Sequence, residues 1–163
     1  MATFPTLIQV VGMGIGATAV MDLWVATLQQ FGAATLNYDM VGRWAGHLVR
    51  GRARHGLIRE SPKIAGEQAW GWLTHYAVGI AFAGLAAGAL GSAWMQDPEP
   101  WPAVAVGMAT VVAPLFIMQP AMGYGFASSR TPTPFRNCLR SLANHVVFGV
   151  GLYASAELLA AII

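Results

Sequence analysis

Charge is scarce in this sequence. Of 163 residues, 10% are Asp, Glu, Lys or Arg and 56% are hydrophobic, where a soluble domain carries about 25% charged residues. The deficit argues against a water-soluble fold, because the long apolar runs have no polar face to turn outward. Cysteine is rarer still. Cys138 stands alone, which excludes an intrachain disulfide and a cysteine-based zinc framework. The N-terminus lacks the basic region of a cleavable signal peptide, and its first apolar run is too long for a signal core. No phosphate-binding glycine loop is expected, since "GMGIG" (12–16) falls inside an apolar run where glycines serve helix packing. Ser128, Ser129 and Ser141 stand outside any nucleophile-elbow pattern, so an intramembrane enzyme acting on a lipid or quinone, with a His as general base oriented by Asp22, is the weaker reading.

What is present is apolar length. Crossing a bilayer takes about 20 consecutive apolar residues, and segments near 6–29, 67–95, 102–126 and 137–163 supply it. The expected fold is therefore an all-α membrane protein: a four-helix transmembrane bundle forming a single integral membrane domain over residues 1–163. All nine Lys and Arg fall in two loops on one side, near 30–66 and 127–136 with its flank, and the "QDPEPWP" turn (96–102) has none. The positive-inside rule makes those loops cytoplasmic and puts both termini on the outer side. A sequence pI near 9.0 then reflects topology, and no nucleic-acid partner is expected; the bilayer is the partner.

The first loop carries a pattern of its own. In "LNYDMVGRWAGHLVRG" (36–51) Met40, Val41, Trp44, Ala45 and Leu48 share one helical face, and Asp39, Arg43, His47 and Arg50 share the other. A short basic helix with an interfacial Trp suits the headgroup layer. The expectation is a short interfacial amphipathic helix carrying Asp39, Arg43, Trp44 and His47, serving as an anchor or topology determinant, with a ligand-gripping lid as the alternative.

Two spans resemble each other. "GWLTHYAVGIAFAGLA" (71–86) aligns with "SLANHVVFGVGLYASA" (141–156), so that His75 matches His145 and Gly79 matches Gly149. "VGM" recurs at 11–13 and 106–108. Together these suggest two repeated helical hairpins, a device common in membrane transport folds. A helical rise of about 1.5 Å per residue puts Asp22, His75 and His145 about 8–12 Å below the cytoplasmic ends of their spans. Gln119 lies at a similar level between Pro114 and Pro120, which are expected to kink the third span and free a carbonyl.

Asp22, His75, Gln119 and His145 thus form the candidate polar site, since ionisable residues inside a membrane mark function by default. The reading that fits best is a small-solute, proton or metal-ion binding or transport protein, with His as proton acceptor. Asp22, His75 and His145 are also a ligand set for a divalent metal. An alternative is a b-type haem protein with His75 and His145 as axial ligands, each followed by a glycine four residues on. A third is a structural or accessory subunit of a larger membrane complex, its polar residues self-paired. Four spans enclose little space, so a homo-oligomer is expected, with Gly12, Gly16, Gly71 and Gly79 as close-contact positions.

"GATAVMDLW", "LNYDMVGRWAGHL", "HYAVG", "MQPAMGYGFASSRTP" and "NHVVFGVGLY" together cover most of the chain's distinctive positions. In these motifs the sequence resembles a bacterial family of small four-span inner-membrane proteins catalogued as a domain of unknown function. The resemblance implies an inner-membrane location and four helices, and it brings no activity, cofactor or site residue.

Overall fold

A computed structural model describes residues 4–33, 35 and 37–162. Leu36, at the start of the expected loop helix, and Ile163, at the end of the fourth span, lie outside the described residues. The chain is all-helical, with five helices: α1 (Phe4–Gln30), α2 (Tyr38–Val49), α3 (Glu67–Gln96), α4 (Pro100–Ala121) and α5 (Pro134–Ala160). α1, α3, α4 and α5 are long and apolar enough to cross a bilayer, and the protein is a small multi-pass membrane protein.

The spans begin and end where local chemistry dictates. α1 closes on Gly32 at φ +75, with Gly32 N–H donating to Gln29 and Ala33 N–H to Leu28. α4 stops at Ala121, short of the expected 126, for the same reason. Gly123 takes φ +92, its N–H donates to the Pro120 carbonyl, and Tyr124 N–H donates to Gln119 at 2.9 Å. That bond pair is a Schellman termination, which needs a left-handed residue just past the helix. α5 begins earlier than expected, on Pro134, whose missing N–H would have had no partner in a first turn anyway.

The proline kink in α4 takes the form of a wide turn. Residues Ala113–Met118 are π-helical, and Gln119 N–H reaches back to the Pro114 carbonyl. Pro114 removes one i→i−4 donor, and the widened turn absorbs the mismatch without ending the helix. α3 is interrupted at Gly91 (φ 80, ψ 175) near its end.

The chain divides into two compact units. The first comprises residues 1–34, 76–110 and 143–163, and its core is built on Met13, Ala17, Ala83, Ala86, Phe148 and Leu152. Small residues let its helices approach closely. A Cβ on Gly107 of α4 would lie 2.6 Å from Gly149 Cα of α5, and one on Gly149 would lie 2.7 Å from Val104 Cα. Gly12 and Gly16 face Leu159 and Ser155 of α5. These glycines, expected to serve contacts between copies, are used inside the chain. Gly79 likewise backs onto Thr18 of α1, so each histidine-plus-four glycine packs against the long helix preceding its own.

The second unit comprises residues 35–75 and 111–142. It holds all nine basic residues and three of the seven acidic ones, a formal charge of +6 in a chain of net +2.

Candidate functional site

Each polar residue singled out in the spans has a hydroxyl partner. In the first unit, Tyr76 of α3 donates its phenol to Asp22 Oδ2 of α1 at 2.9 Å. His145 Nδ1 of α5 lies 2.8 Å from Thr110 Oγ1 of α4. Asn144, next to His145, accepts from Trp24 Nε1 at 3.1 Å. In the second unit, His75 Nε2 lies 3.1 Å from the Tyr38 hydroxyl, in a ring cluster with Trp72. Gln119 Oε1 accepts from Ser128 at 2.8 Å. Among the described residues no buried side-chain nitrogen or oxygen lacks a hydrogen-bond partner.

These contacts bear on the cofactor expectations. Among the described residues no group of three or more His, Cys, Asp or Glu side chains is disposed to hold a metal ion. A haem between α3 and α5 would use the space beside Gly79 and Gly149. Thr18 fills the first and Val104 the second, so a flat macrocycle has no room against either glycine.

The helix in the first loop buries residues of both its faces, Val41 and Ala45 on the apolar one and Arg43 and His47 on the polar one. Arg43 is 4% exposed and His47 8%, whereas Leu48 and Val49 are exposed. Arg43 grips Glu67, the first residue of α3, through Nε to Oε2 and Nη2 to Oε1, both at 2.9 Å. Its Nη1 donates to the carbonyls of Arg59 (3.1 Å) and Ser61 (3.3 Å). His47 Nε2 lies 3.0 Å from the Pro62 carbonyl. The buried donors Arg43 and His47 thus bind the 58–67 segment, which offers them a carboxylate and several carbonyls. Asp39 stays at the N-terminal turn, its N–H capped by the Asn37 side chain.

The outward face of α2 borders a cavity of about 690 Å³. Trp44 and Leu48 of α2 form one side, with Trp44 anchored through Nε1 to the Ala53 carbonyl at 2.9 Å. Phe116, Ile117, Pro120 and Ala121 form another, along the last turns of α4. Phe126, Ser129 and Arg130 come from the loop after α4, and Arg54 from the strand-like stretch after α2. Backbone hydrogen bonds tie these pieces together: His55 N–H donates to Ala121 and Ile58 N–H to Met122, both at 2.9 Å.

The loop after α4 is held in an unusual conformation. Ala127 (φ 48) and Ser128 (φ 62) are left-handed although neither is glycine, and such residues persist only where surroundings over-determine them. Here Ser128, 1% exposed, bonds to Gln119. Cys138 donates to the Ala127 carbonyl at 3.1 Å and Thr131 to the Ser128 carbonyl at 2.7 Å. The stem of Arg130 packs against Gly125, which has no Cβ to displace it.

A model of the family described as "Protein of unknown function (DUF2938)" matches residues 11–159. The chain belongs to this family. The DUF2938 match takes in all three cavity-lining segments and reaches from α1 to α5. No curated protein and no solved structure matches the chain, so DUF2938 membership identifies the fold's relatives and the site rests on its own geometry.

The cavity residues went unnoticed in the sequence because they come from three separated segments. One signal was available: two glycines and two prolines bracket "PAMGYGFASSRTP" (120–132), a density of turn formers where a span should simply end.

Proposed function

We propose that the protein binds a membrane amphiphile in the cavity between α2, the end of α4 and the loop that follows. The observation that carries this reading is where the cavity sits along α4. Phe116, Ile117 and Pro120 belong to the last turns of a span, and Arg54, Ser129 and Arg130 lie beyond it. Apolar lining at span depth and polar lining past the span end match the two parts of one amphiphile. The volume, about 690 Å³, falls within the ~300–1,000 Å³ of small-molecule sites. Filling the cavity tests the reading. Native mass spectrometry of the detergent-purified protein should show a retained amphiphile, and Ala121→Trp should abolish it while leaving the melting temperature close to wild type. Absence of any retained molecule, or equal retention by Ala121→Trp, refutes the proposal.

Passage of protons is a second reading, favoured by one observation: the Asp22 carboxylate of α1 accepts from the Tyr76 phenol of α3 at 2.9 Å, within two helices long and apolar enough to cross a membrane. In proteoliposomes Asp22→Asn should stop a pH-driven proton flux. Flux unchanged by this substitution, or absent from wild type, ends that reading and leaves the Asp22–Tyr76 pair as a helix tie.

A further inference from the structure

We propose that the cavity selects amphiphiles with a phosphate headgroup, read by Arg54 and Arg130 together with the Ser129 hydroxyl. This deepens the amphiphile-binding reading and rests on it. Three observations support it. Two guanidinium side chains from different segments line one apolar cavity. The ion pairs Arg43–Glu67 and Arg59–Glu60 involve neither Arg54 nor Arg130, and no carboxylate among the described residues is paired with either. And Arg130 stands on a strained loop pinned by four side-chain groups, those of Ser128, Gln119, Cys138 and Thr131.

The chemistry follows from the donors. Guanidinium groups present planar, forked N–H pairs that match phosphate oxygens, and they stay charged at any physiological pH. Two such forks from separate segments give the +2 that suits a monoester or diester phosphate. A single carboxylate would satisfy only one fork. Ser129 adds a neutral donor beside them. Pre-organisation is the role of the left-handed pair at Ala127 and Ser128: it fixes Ser129 and Arg130 before a ligand arrives, which lowers the ordering cost of binding.

Cationic residues near a membrane also attract anionic lipid without any site, at about fivefold per residue. A charge-matched control separates the two effects, because Arg50 and Arg52 are exposed and basic yet do not line the cavity. The experiment compares retention of phosphatidic acid and chain-matched diacylglycerol by the full-length protein in neutral detergent micelles. Inorganic phosphate is added as competitor in a separate arm.

Wild type is expected to retain phosphatidic acid about twentyfold over diacylglycerol, roughly fivefold for each arginine. Arg54→Gln/Arg130→Gln should bring the ratio near unity, and Arg50→Gln/Arg52→Gln should leave it near wild type. Equal loss in both double variants means general charge attraction and overturns the phosphate site. A ratio near one in wild type overturns it as well, with diacylglycerol retention preserving the amphiphile reading. Failure to retain either lipid removes both. In the competition arm, displacement of phosphatidic acid by millimolar phosphate supports recognition of the phosphate itself and identifies free phosphate as a sufficient source. Resistance to it supports a site that needs headgroup and chain together.

Discussion

Removing the Glu67 carboxylate is expected to open the second unit. Arg43 is 4% exposed and its guanidinium has four acceptors, two of them on Glu67. At an effective dielectric near 20, charges about 4 Å apart attract by about 4 kcal/mol, offset by the cost of desolvating both. Deleting one partner of a buried pair typically costs 3–5 kcal/mol, since the remaining charge is stranded. Arg43 keeps the Arg59 and Ser61 carbonyls in Glu67→Ala, which places the expected loss at the lower end, about 3 kcal/mol. Arg43→Met/Glu67→Leu removes both charges and should cost about 1 kcal/mol or less, as apolar replacements of buried pairs often do. Amide exchange over 38–67, read by mass spectrometry, reports local opening directly. Glu67→Ala should accelerate it about 150-fold, the equivalent of about 3 kcal/mol. The reasoning fails if Glu67→Ala changes exchange less than about threefold. It fails equally if the double substitution is as damaging as the single ones added together, since the cycle would then show no coupling.

The remaining predictions concern pH, packing and the strained loop. Burial holds the His55 imidazolium below the ordinary histidine range, with the His47 ring 5.0 Å away and Arg52 opposing a further charge. Its neutral form, which accepts at Nδ1 from Ser61 Oγ (2.9 Å) and donates from Nε2 to the Arg52 carbonyl (3.2 Å), is therefore the folded one. This contribution is complete above the unfolded value of about 6.5 and is lost as pH falls through it toward the lower folded value; melting at pH 7.5 and 5.0 should differ less in His55→Gln than in wild type. Gly107→Ala places a methyl 2.6 Å from Gly149 Cα and should cost about 1–3 kcal/mol in detergent unfolding. Gly88→Ala, with open space around it, should be neutral or gain up to about 1 kcal/mol; equal effects at the two glycines would refute the packing assignment. Ser128→Ala leaves the Gln119 carbonyl without its donor and should cost about 1–3 kcal/mol, with Gln119→Ala adding little to it in the double variant.

The spans were legible because crossing a bilayer sets a length that composition alone reveals. Their ends were less so. The third span reads as apolar to residue 126, and it stops at Ala121 because Gly123 supplies the left-handed residue of a helix terminus, a local backbone effect that hydropathy does not register. Helical periodicity correctly grouped Arg43 and His47 on one face of α2, but periodicity says which residues share a face and not what covers it. The cover comes from Glu67, 24 residues away from Arg43, and from carbonyls at 59–62. Partners within the spans were hidden for a different reason. Asp22, His75, Gln119 and His145 drew attention as the strongly polar groups, and each has a hydroxyl among its partners: Tyr76, Tyr38, Ser128 and Thr110. Hydroxyl residues cost little to place in an apolar helix, so they leave no mark in a hydropathy profile.

The same limit explains how the basic residues were read. All nine cations fall in the second unit, and the positive-inside rule treats them as equivalent. Folding makes them different. Arg43 is consumed by Glu67, and Arg59 lies 3.9 Å from Glu60. Arg54 and Arg130 instead flank apolar side chains that lie at the end of a span. A count of charge decides which loops stay on one side of a membrane. The apolar wall beside Arg54 and Arg130 is supplied by Phe116, Ile117 and Phe126, each from a segment distant in sequence from Arg54.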